Sequence, residues 1–387
     1  MRPDSRAVHA GRELGPRDAL APPIVQTSVY VYDELDDYDG VASGARAGHV
    51  YGRYSNENVA MLETAVAELE EAEAGLATAS GMAAIFAAVL ACAPRPAPLV
   101  VSADAYGTTL SLLHEDLEPL GYDVRVVAMD DRAPVERALE GAALLLCETI
   151  SNPLCRVSDV EAVCALANRR GVPVLVDNTF ATPLLCRPLS LGATAVVHSA
   201  SKYIGGHSDV VAGVLVGSRP LVERARSATT RTGGSLAPFV AWLALRGLRT
   251  LHLRVPRHTD NARLLALALC TLPQVAAVHH PLLDGSPGVE VARRLLPLGS
   301  GGMFAFDLRG GRAAVQAMLS RLRLVRFAAS LAGVETSVSY PAITSHRSQS
   351  PEQRLARGIR DGTVRVSAGL EHPDDLVEDF RQALAGV

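Results

Sequence analysis

From Asn58 the chain reads NVAMLETAVAELEEAEAG. Apolar residues recur every three or four positions, which predicts a helix with an asparagine at its start and Gly75 as its stop. After it the period changes. Short apolar runs, PLVVSAD (98–104), YDVRVVAMD (122–130), AALLLCET (142–149), VPVLVDNTF (172–180) and ATAVVHSASK (193–202), read as strands. Helical patterns lie between them, from about 108, from about 134 and over SDVEAVCALANRRG. Apolar runs without polar alternation, separated by amphipathic helices, predict a mostly parallel sheet covered on both faces. The segment 236–272 is long and helical and reads as a bridge. Beyond it, GGMFAFDLRGG, VRVSAGLE and the terminal PDDLVEDFRQALAGV predict a smaller α/β domain that ends in a helix. Residues 1–55, rich in Pro, Gly, Asp and Tyr, read as an irregular arm. The expected organisation is an arm over 1–55, a large α/β domain over 56–248 and a small domain over 249–387, without repeats or low-complexity segments.

Composition narrows this further. A chain of 387 residues and 40.8 kDa has room for two domains, and 48% hydrophobic with 20% charged residues is ordinary for a globular protein. A formal charge of −4 and a pI near 6.3 provide no basic field for nucleic acid. No apolar run has the length of a membrane span, and MRPDSRAVHAGRELG has no signal-peptide core, so a cytoplasmic protein is expected. The six cysteines form no C-x-x-C pair. Cys147, Cys155 and Cys164 fall in or beside apolar segments, which points to buried free thiols rather than disulfides or a metal site.

One residue stands out against this background. The 37 basic residues are 36 arginines and a single lysine, Lys202, in HSASKYIGGHSD (198–209). Arginine stays protonated, whereas a desolvated lysine can lose its proton and attack a carbonyl carbon. The strand ends around it carry polar residues that make chemical sense together. In open parallel sheets ligands gather at the carboxyl ends of strands. Asp177 follows VPVLV, where a carboxylate needs a cationic partner. Glu148 and Asn152 follow ALLLC, and Ser199, Ser201 and Lys202 follow TAVVH. A ligand with an aldehyde, a pyridinium nitrogen and a phosphate satisfies all of them. Lys202 would join the aldehyde and Asp177 would hold the ring proton, so that the ring draws electrons. Ser199, Ser201 and the helix start at Gly81 in ASGMAAIFAAV would hold the phosphate, and Tyr106 in AYGTT would stack on the ring.

The segments YGRYSN (51–56), ASGMAAI (79–85), YGTT (106–109), ETISNP (148–153), VDNTFATP (176–183), HSASKYIGGHSDV (198–210), SLAGVET (330–336) and VRVSAGLE (364–371) occur in this order over almost the whole chain. Together they resemble the Cys/Met-metabolism family of pyridoxal-phosphate (PLP) enzymes, which includes cystathionine γ-synthase, cystathionine γ-lyase and methionine γ-lyase. The resemblance implies the aspartate-aminotransferase-like fold (fold type I), PLP as cofactor, an amino-acid substrate and a homotetramer of two catalytic dimers, with no nucleic acid and no membrane as partner. It implies that Lys202 binds PLP and moves protons at the substrate's carbons, and that Asp177 pairs with the pyridine nitrogen. Gly81, Met82, Ser199 and Ser201 are implied as the phosphate site. Tyr51 and Arg53 are implied to reach that phosphate from the neighbouring subunit, with Tyr51 also in the catalytic set. Tyr106 is implied as the stacking ring that assists the leaving group. Arg365, with Asn152 and Ser330, would bind the α-carboxylate, for which a guanidinium fork is suited. Glu335 matches the glutamate of the family's Gly-Val-Glu segment and is expected near the substrate.

The reaction implied is γ-elimination or γ-replacement on a sulfur amino acid or an activated homoserine. Alternatives are sulfhydrylation of O-acetylhomoserine, β-elimination from cystathionine or cysteine, and a PLP-fold protein without catalysis. Departures from the family pattern bear on the choice. Val50 stands where cystathionine-handling members tend to have an acid. Thr108 stands where methionine enzymes have cysteine, and Glu57 replaces a proline and is a candidate to compensate for Val50. SYPAITSH replaces a His-Pro-Ala…Met-Thr-His pattern, which puts Tyr340 and Thr344 near the expected substrate mouth.

Overall fold

The structure is a computed structural model that describes residues 1–15, 18–347 and 349–387. Seven strands form the larger sheet: β1 (Ala74–Thr78), β2 (Pro98–Ser102), β3 (Asp123–Val127), β4 (Leu144–Glu148), β5 (Val174–Asp177), β6 (Ala195–Ser199) and β7 (Gly213–Gly217). Their spatial order is β1-β7-β6-β5-β4-β2-β3. The pairs from β3 through β6 are parallel, and β7 runs against both of its neighbours.

The central strands are apolar on both sides because both sides are covered. Leu146, Leu175 and Val197 pack with Ala84, Ile85 and Ala88 of the helix Gly81–Cys92. The residues that alternate with them face the other way. Leu145, Cys147, Val174 and Val176 meet Val160, Val163 and Cys164 of the helix Val160–Asn168. Val196, Val214 and Val216 meet Leu62, Ala65 and Val66 of the helix Glu57–Glu70, and Ala241, Ala244 and Leu245 of Pro238–Leu248. Burial of this kind contributes roughly 25 cal/mol per Å² of apolar surface and sets the register of each strand.

The second sheet has five strands: β8 (Val275–His279), β9 (Met303–Leu308), β10 (Arg326–Phe327), β11 (Ser337–Ser339) and β12 (Thr363–Ser367), in the order β10-β11-β12-β9-β8. All neighbours are antiparallel except β10 and β11. Phe304, Phe306, Val364 and Val366 pack on Leu265 and Leu269 of the helix Leu251–Cys270 and on Leu376 and Phe380 of the helix Pro373–Leu384.

Four features depart from the sequence reading. The helix from Asn58 starts after Asn56, whose side chain caps it, and ends at Glu70, with Glu71 left-handed at φ 57°. Gly75 lies in β1 instead of stopping the helix. β1 and β7 had no clear signal, because AGLAT and GVLVG are short and rich in small residues. The long helical segment is two helices, Pro238–Leu248 and Leu251–Cys270, with a break at Arg249–Thr250. The N-terminal arm contains two short helices, Pro3–His9 and Leu35–Ala42, and is not wholly irregular.

The carboxyl ends of β4, β5 and β6 share one edge of the large sheet. Asn152, beyond β4, meets Arg365 of β12 there, so the two sheets come together where the sequence places its chemistry.

Candidate active site

A cavity of about 920 Å³ opens at that edge. It is within the size range of small-molecule sites. Gly81, Met82, Tyr106, Asn152, Asp177, Ser199, Ser201, Lys202 and Arg365, all chosen from sequence, line it.

Lys202 sits in the turn that follows β6. Its N–H donates to the Ser199 carbonyl at 3.0 Å, and its own carbonyl accepts from Gly206 N–H at 2.7 Å. Burial first, and then the Arg365 charge, pull its pKa below the ordinary lysine value, which favours the neutral, nucleophilic amine.

Asp177 ends β5, beside Glu148 at the end of β4. Its Oδ1 accepts the Thr179 N–H at 2.9 Å, and Thr179 Oγ1 accepts the Ser199 N–H at 2.8 Å. One threonine thus ties the acid of β5 to the serine of β6. Burial raises the Asp177 pKa, while the Thr179 hydrogen bonds and the nearby His198 pull it back. Among the described residues, no cation forms an ion pair with this carboxylate. The Glu148 pKa lies well above the usual carboxylate range through burial and then the nearby Asp177. Glu148 Oε1 accepts the Tyr106 N–H at 2.6 Å, which fixes the turn that carries that ring.

The helix Gly81–Cys92 starts against the cavity. Ser80 Oγ caps it by accepting the Ala83 N–H at 3.1 Å. The N–H groups of Gly81 and Met82 belong to the first turn, which has no intrahelical acceptors. A Cβ at Gly81 would lie 3.0 Å from Ser199 Cβ, so glycine lets the helix start approach that serine. The Ser199 hydroxyl makes no hydrogen bond among the described residues. The Ser201 hydroxyl is engaged, accepting from Ala212 N–H at 3.0 Å and donating to its carbonyl at 3.3 Å.

Arg365 is buried at 5% exposure on β12. Nη1 donates to Asn152 Oδ1 at 3.0 Å and Nη2 to the Ser330 carbonyl at 2.8 Å, while Nε has no partner among the described residues. Burial pulls its pKa down to about 10, still far above neutrality. Ser330 therefore contributes its backbone oxygen.

Other sequence-chosen residues lie elsewhere. Tyr51 and Arg53 stand in the arm, outside the cavity of their own chain. Arg53 donates to the Thr230 carbonyl at 2.9 Å and lies over the Tyr51 and Tyr54 rings. Glu335 is exposed and does not line the cavity. Tyr340, expected near the mouth, is instead buried in the small domain, where its hydroxyl donates to Asp361. Thr344 and Thr108 do line the cavity. Glu57 accepts the Tyr30 hydroxyl at 2.5 Å and takes no part in the cavity, as Val50 does not.

Thr179, Ser345 and Arg347 were not singled out from sequence. A threonine two residues after Asp177 is the spacing of a side-chain turn, the only signal that would have found Thr179. All six cysteines are free, and no metal-binding cluster occurs among the described residues. No helix among them is long and apolar enough to cross a membrane.

A doubly wound sheet with a lysine, a carboxylate and a helix start at one edge defines a cofactor enzyme of the PLP class. The chain belongs to the Cys/Met metabolism PLP-dependent enzyme family, whose pattern matches residues 4–385. It is 40% identical over 386 residues to the L-methionine gamma-lyase of Pseudomonas putida, covering 98% of this chain and 96% of that protein. It is 39% identical over 371 residues to the cystathionine gamma-lyase of Bacillus subtilis, covering 95% of each. The cystathionine gamma synthase of Xanthomonas oryzae pv. oryzae, solved with aminoacrylate and cysteine, superposes with a TM-score of 0.93 at 36% identity, covering 100% of this chain and 98% of that one.

The donor set fits PLP. A buried carboxylate without a cation suits a ring N–H⁺, an amine of lowered pKa suits an aldehyde, and a glycine-started helix with a free serine hydroxyl suits a phosphate.

Proposed function

We propose that the chain uses PLP for γ-elimination or γ-replacement on a sulfur amino acid or an activated homoserine. One observation carries this reading. A single cavity holds Asp177, an acid with no ion pair among the described residues, Arg365, a buried guanidinium whose Nε has no partner among them, and the chain's only lysine.

Bound PLP supplies a ring that accepts the electrons of the substrate's Cα–H bond. The protein's residues do the rest. Lys202 would hold the cofactor, and its amine would take the Cα proton and then serve Cβ. Its lowered pKa favours the basic form of the amine for that task. Asp177 keeps the proton on the ring nitrogen. Gly81, Met82, Ser199 and Ser201 hold the phosphate. Arg365, braced by Asn152 and the Ser330 carbonyl, holds the α-carboxylate and so sets which bond at Cα faces Lys202. Tyr106, in the cavity lining, would cover the cofactor ring and pass a proton to the departing γ-group.

Tyr51 and Arg53 are assigned to the phosphate of a neighbouring subunit, in a homotetramer of two catalytic dimers. Their position in an arm outside their own cavity supports this. The expected result is that Arg53→Ala loses PLP affinity and that mixing it with a Lys202→Ala chain restores activity. Six free cysteines support a reducing, cytoplasmic setting.

The test of the reaction is 2-oxobutyrate release by the purified holoenzyme from L-cystathionine and L-methionine side by side, and thioether formation from acylated homoserine plus a thiol. Release or thioether formation that disappears in Lys202→Ala is expected. Absence of all of them refutes the reading.

A further inference from the structure

The cavity lining carries a second guanidinium that the reaction above does not use. Arg347 lines the cavity with Thr344 and Ser345. It is exposed, and among the described residues its guanidinium makes no hydrogen bond or ion pair. Other arginines of this region are committed: Arg156 pairs with Asp104, and Arg354 donates to the Gln349 carbonyl at 2.5 Å.

The segment that carries Arg347 is anchored. Thr344 Oγ1 donates to the Tyr340 carbonyl at 2.9 Å, and the His346 N–H donates to the Pro341 carbonyl at 2.9 Å. Tyr340 is itself tied to Asp361. The segment also rests on the turn of Tyr106, since a Cβ at Gly107 would lie 3.0 Å from the Ser345 carbonyl. Arg347 is therefore held at the cavity beside the turn that carries Tyr106.

The charge balance of the lining is uneven. Its only acids are Glu148 and Asp177, register partners at the strand ends, with Glu148 occupied by the Tyr106 N–H. The lining instead offers Arg347 and the hydroxyls of Thr108 and Ser111, while the Ser345 hydroxyl is engaged with His346 Nδ1 at 2.9 Å. Arg365 accounts for one carboxylate of an amino-acid substrate. A second guanidinium in the lining, with hydroxyls in the same lining and no ion pair of its own among the described residues, fits a second anion on the same substrate.

We propose that Arg347 forms a distal-anion subsite that selects substrates whose γ-substituent ends in a carboxylate. This rests on the γ-reaction proposed above and narrows its substrate class. The succinyl group of an O-succinylhomoserine and the far end of cystathionine both present that carboxylate. The γ-substituents of O-acetylhomoserine and methionine do not.

The test measures kcat/KM of the holoenzyme and of Arg347→Gln and Arg347→Lys with O-succinyl-L-homoserine, L-cystathionine, O-acetyl-L-homoserine and L-methionine, each with and without an added thiol. In Arg347→Gln, at least one of the carboxylate-ended substrates is expected to lose at least tenfold more than the neutral pair, chiefly through KM. Arg347→Lys recovers part of that loss. A loss confined to one of the two supports the subsite and identifies which group it binds. Parallel losses on all four substrates, or no loss on any, overturn the inference while leaving the γ-reaction standing. A wild-type holoenzyme inactive with all four refutes the reaction, and the inference with it.

Discussion

Replacing Arg365 with lysine keeps a positive charge and removes the fork. In the native site Nη1 is spent on Asn152 and Nη2 on the Ser330 carbonyl, so the unpartnered Nε and the remaining Nη hydrogens are left for a carboxylate. A lysine ammonium cannot satisfy Asn152, Ser330 and a ligand with the same directions. Losing one charge-assisted hydrogen bond to the substrate costs about 1.5–3 kcal/mol, which is about 13- to 160-fold in kcat/KM. Arg365→Ala also leaves the Asn152 oxygen and the Ser330 carbonyl unpaired, adding about 1–3 kcal/mol for each group that stays buried without a partner. The loss should appear in kcat/KM for every amino-acid substrate, because the α-carboxylate is common to all. Thermal stability should fall little in the lysine variant, since the guanidinium is buried without an acidic partner and its own desolvation already counts against the fold. Steady-state kinetics with thermal unfolding of the same samples is the assay. Unchanged kcat/KM in Arg365→Lys, or activity lost only in step with unfolding, would refute the assignment.

Asp177→Asn is expected to abolish turnover while raising the stability of the cofactor-free protein near neutral pH. Burial raises the folded-state pKa of Asp177 above the unfolded value, so its ionised form destabilises the native state, and that cost disappears as pH falls through the folded pKa toward the unfolded one. The stability gap between variant and wild type should therefore shrink on acidification; a gap that grows would contradict the burial argument. Gly81→Ala should weaken PLP binding by about tenfold or more, because a Cβ 3.0 Å from Ser199 Cβ separates the helix start from its serine. Titration of the cofactor-free protein with PLP measures it, and wild-type affinity would remove Gly81 from the phosphate site.

Periodicity made the central strands legible, since each is short, apolar and followed by an amphipathic helix. β1 and β7 were not legible, because small residues suit a strand packed closely against other backbone yet leave little hydrophobic signal. Most of the proposed site was readable as residue types at strand ends. Its positioning partners were less so: Thr179 acts through a hydroxyl and an N–H that any loop threonine has. Tyr340 went astray for a related reason. A tyrosine near a motif reads as a mouth residue, but its hydroxyl finds Asp361 across the small domain and the ring is buried there. Arg347 gave no warning among 36 arginines. Only its placement in the cavity lining, with no ion pair among the described residues, distinguishes it.

The solitary lysine has a practical consequence for anyone who handles this protein. Apart from the amino terminus, an amine-directed reagent finds one side chain on the molecule, and that one is in the wall of the cavity. Acylation or reductive fixation of a carbonyl probe thus reports on a single address, and protection of that address measures how full the cavity is. The same property makes amine-bridging reagents nearly blind to subunit contacts, which are better mapped through acidic side chains or the exposed thiol of Cys270.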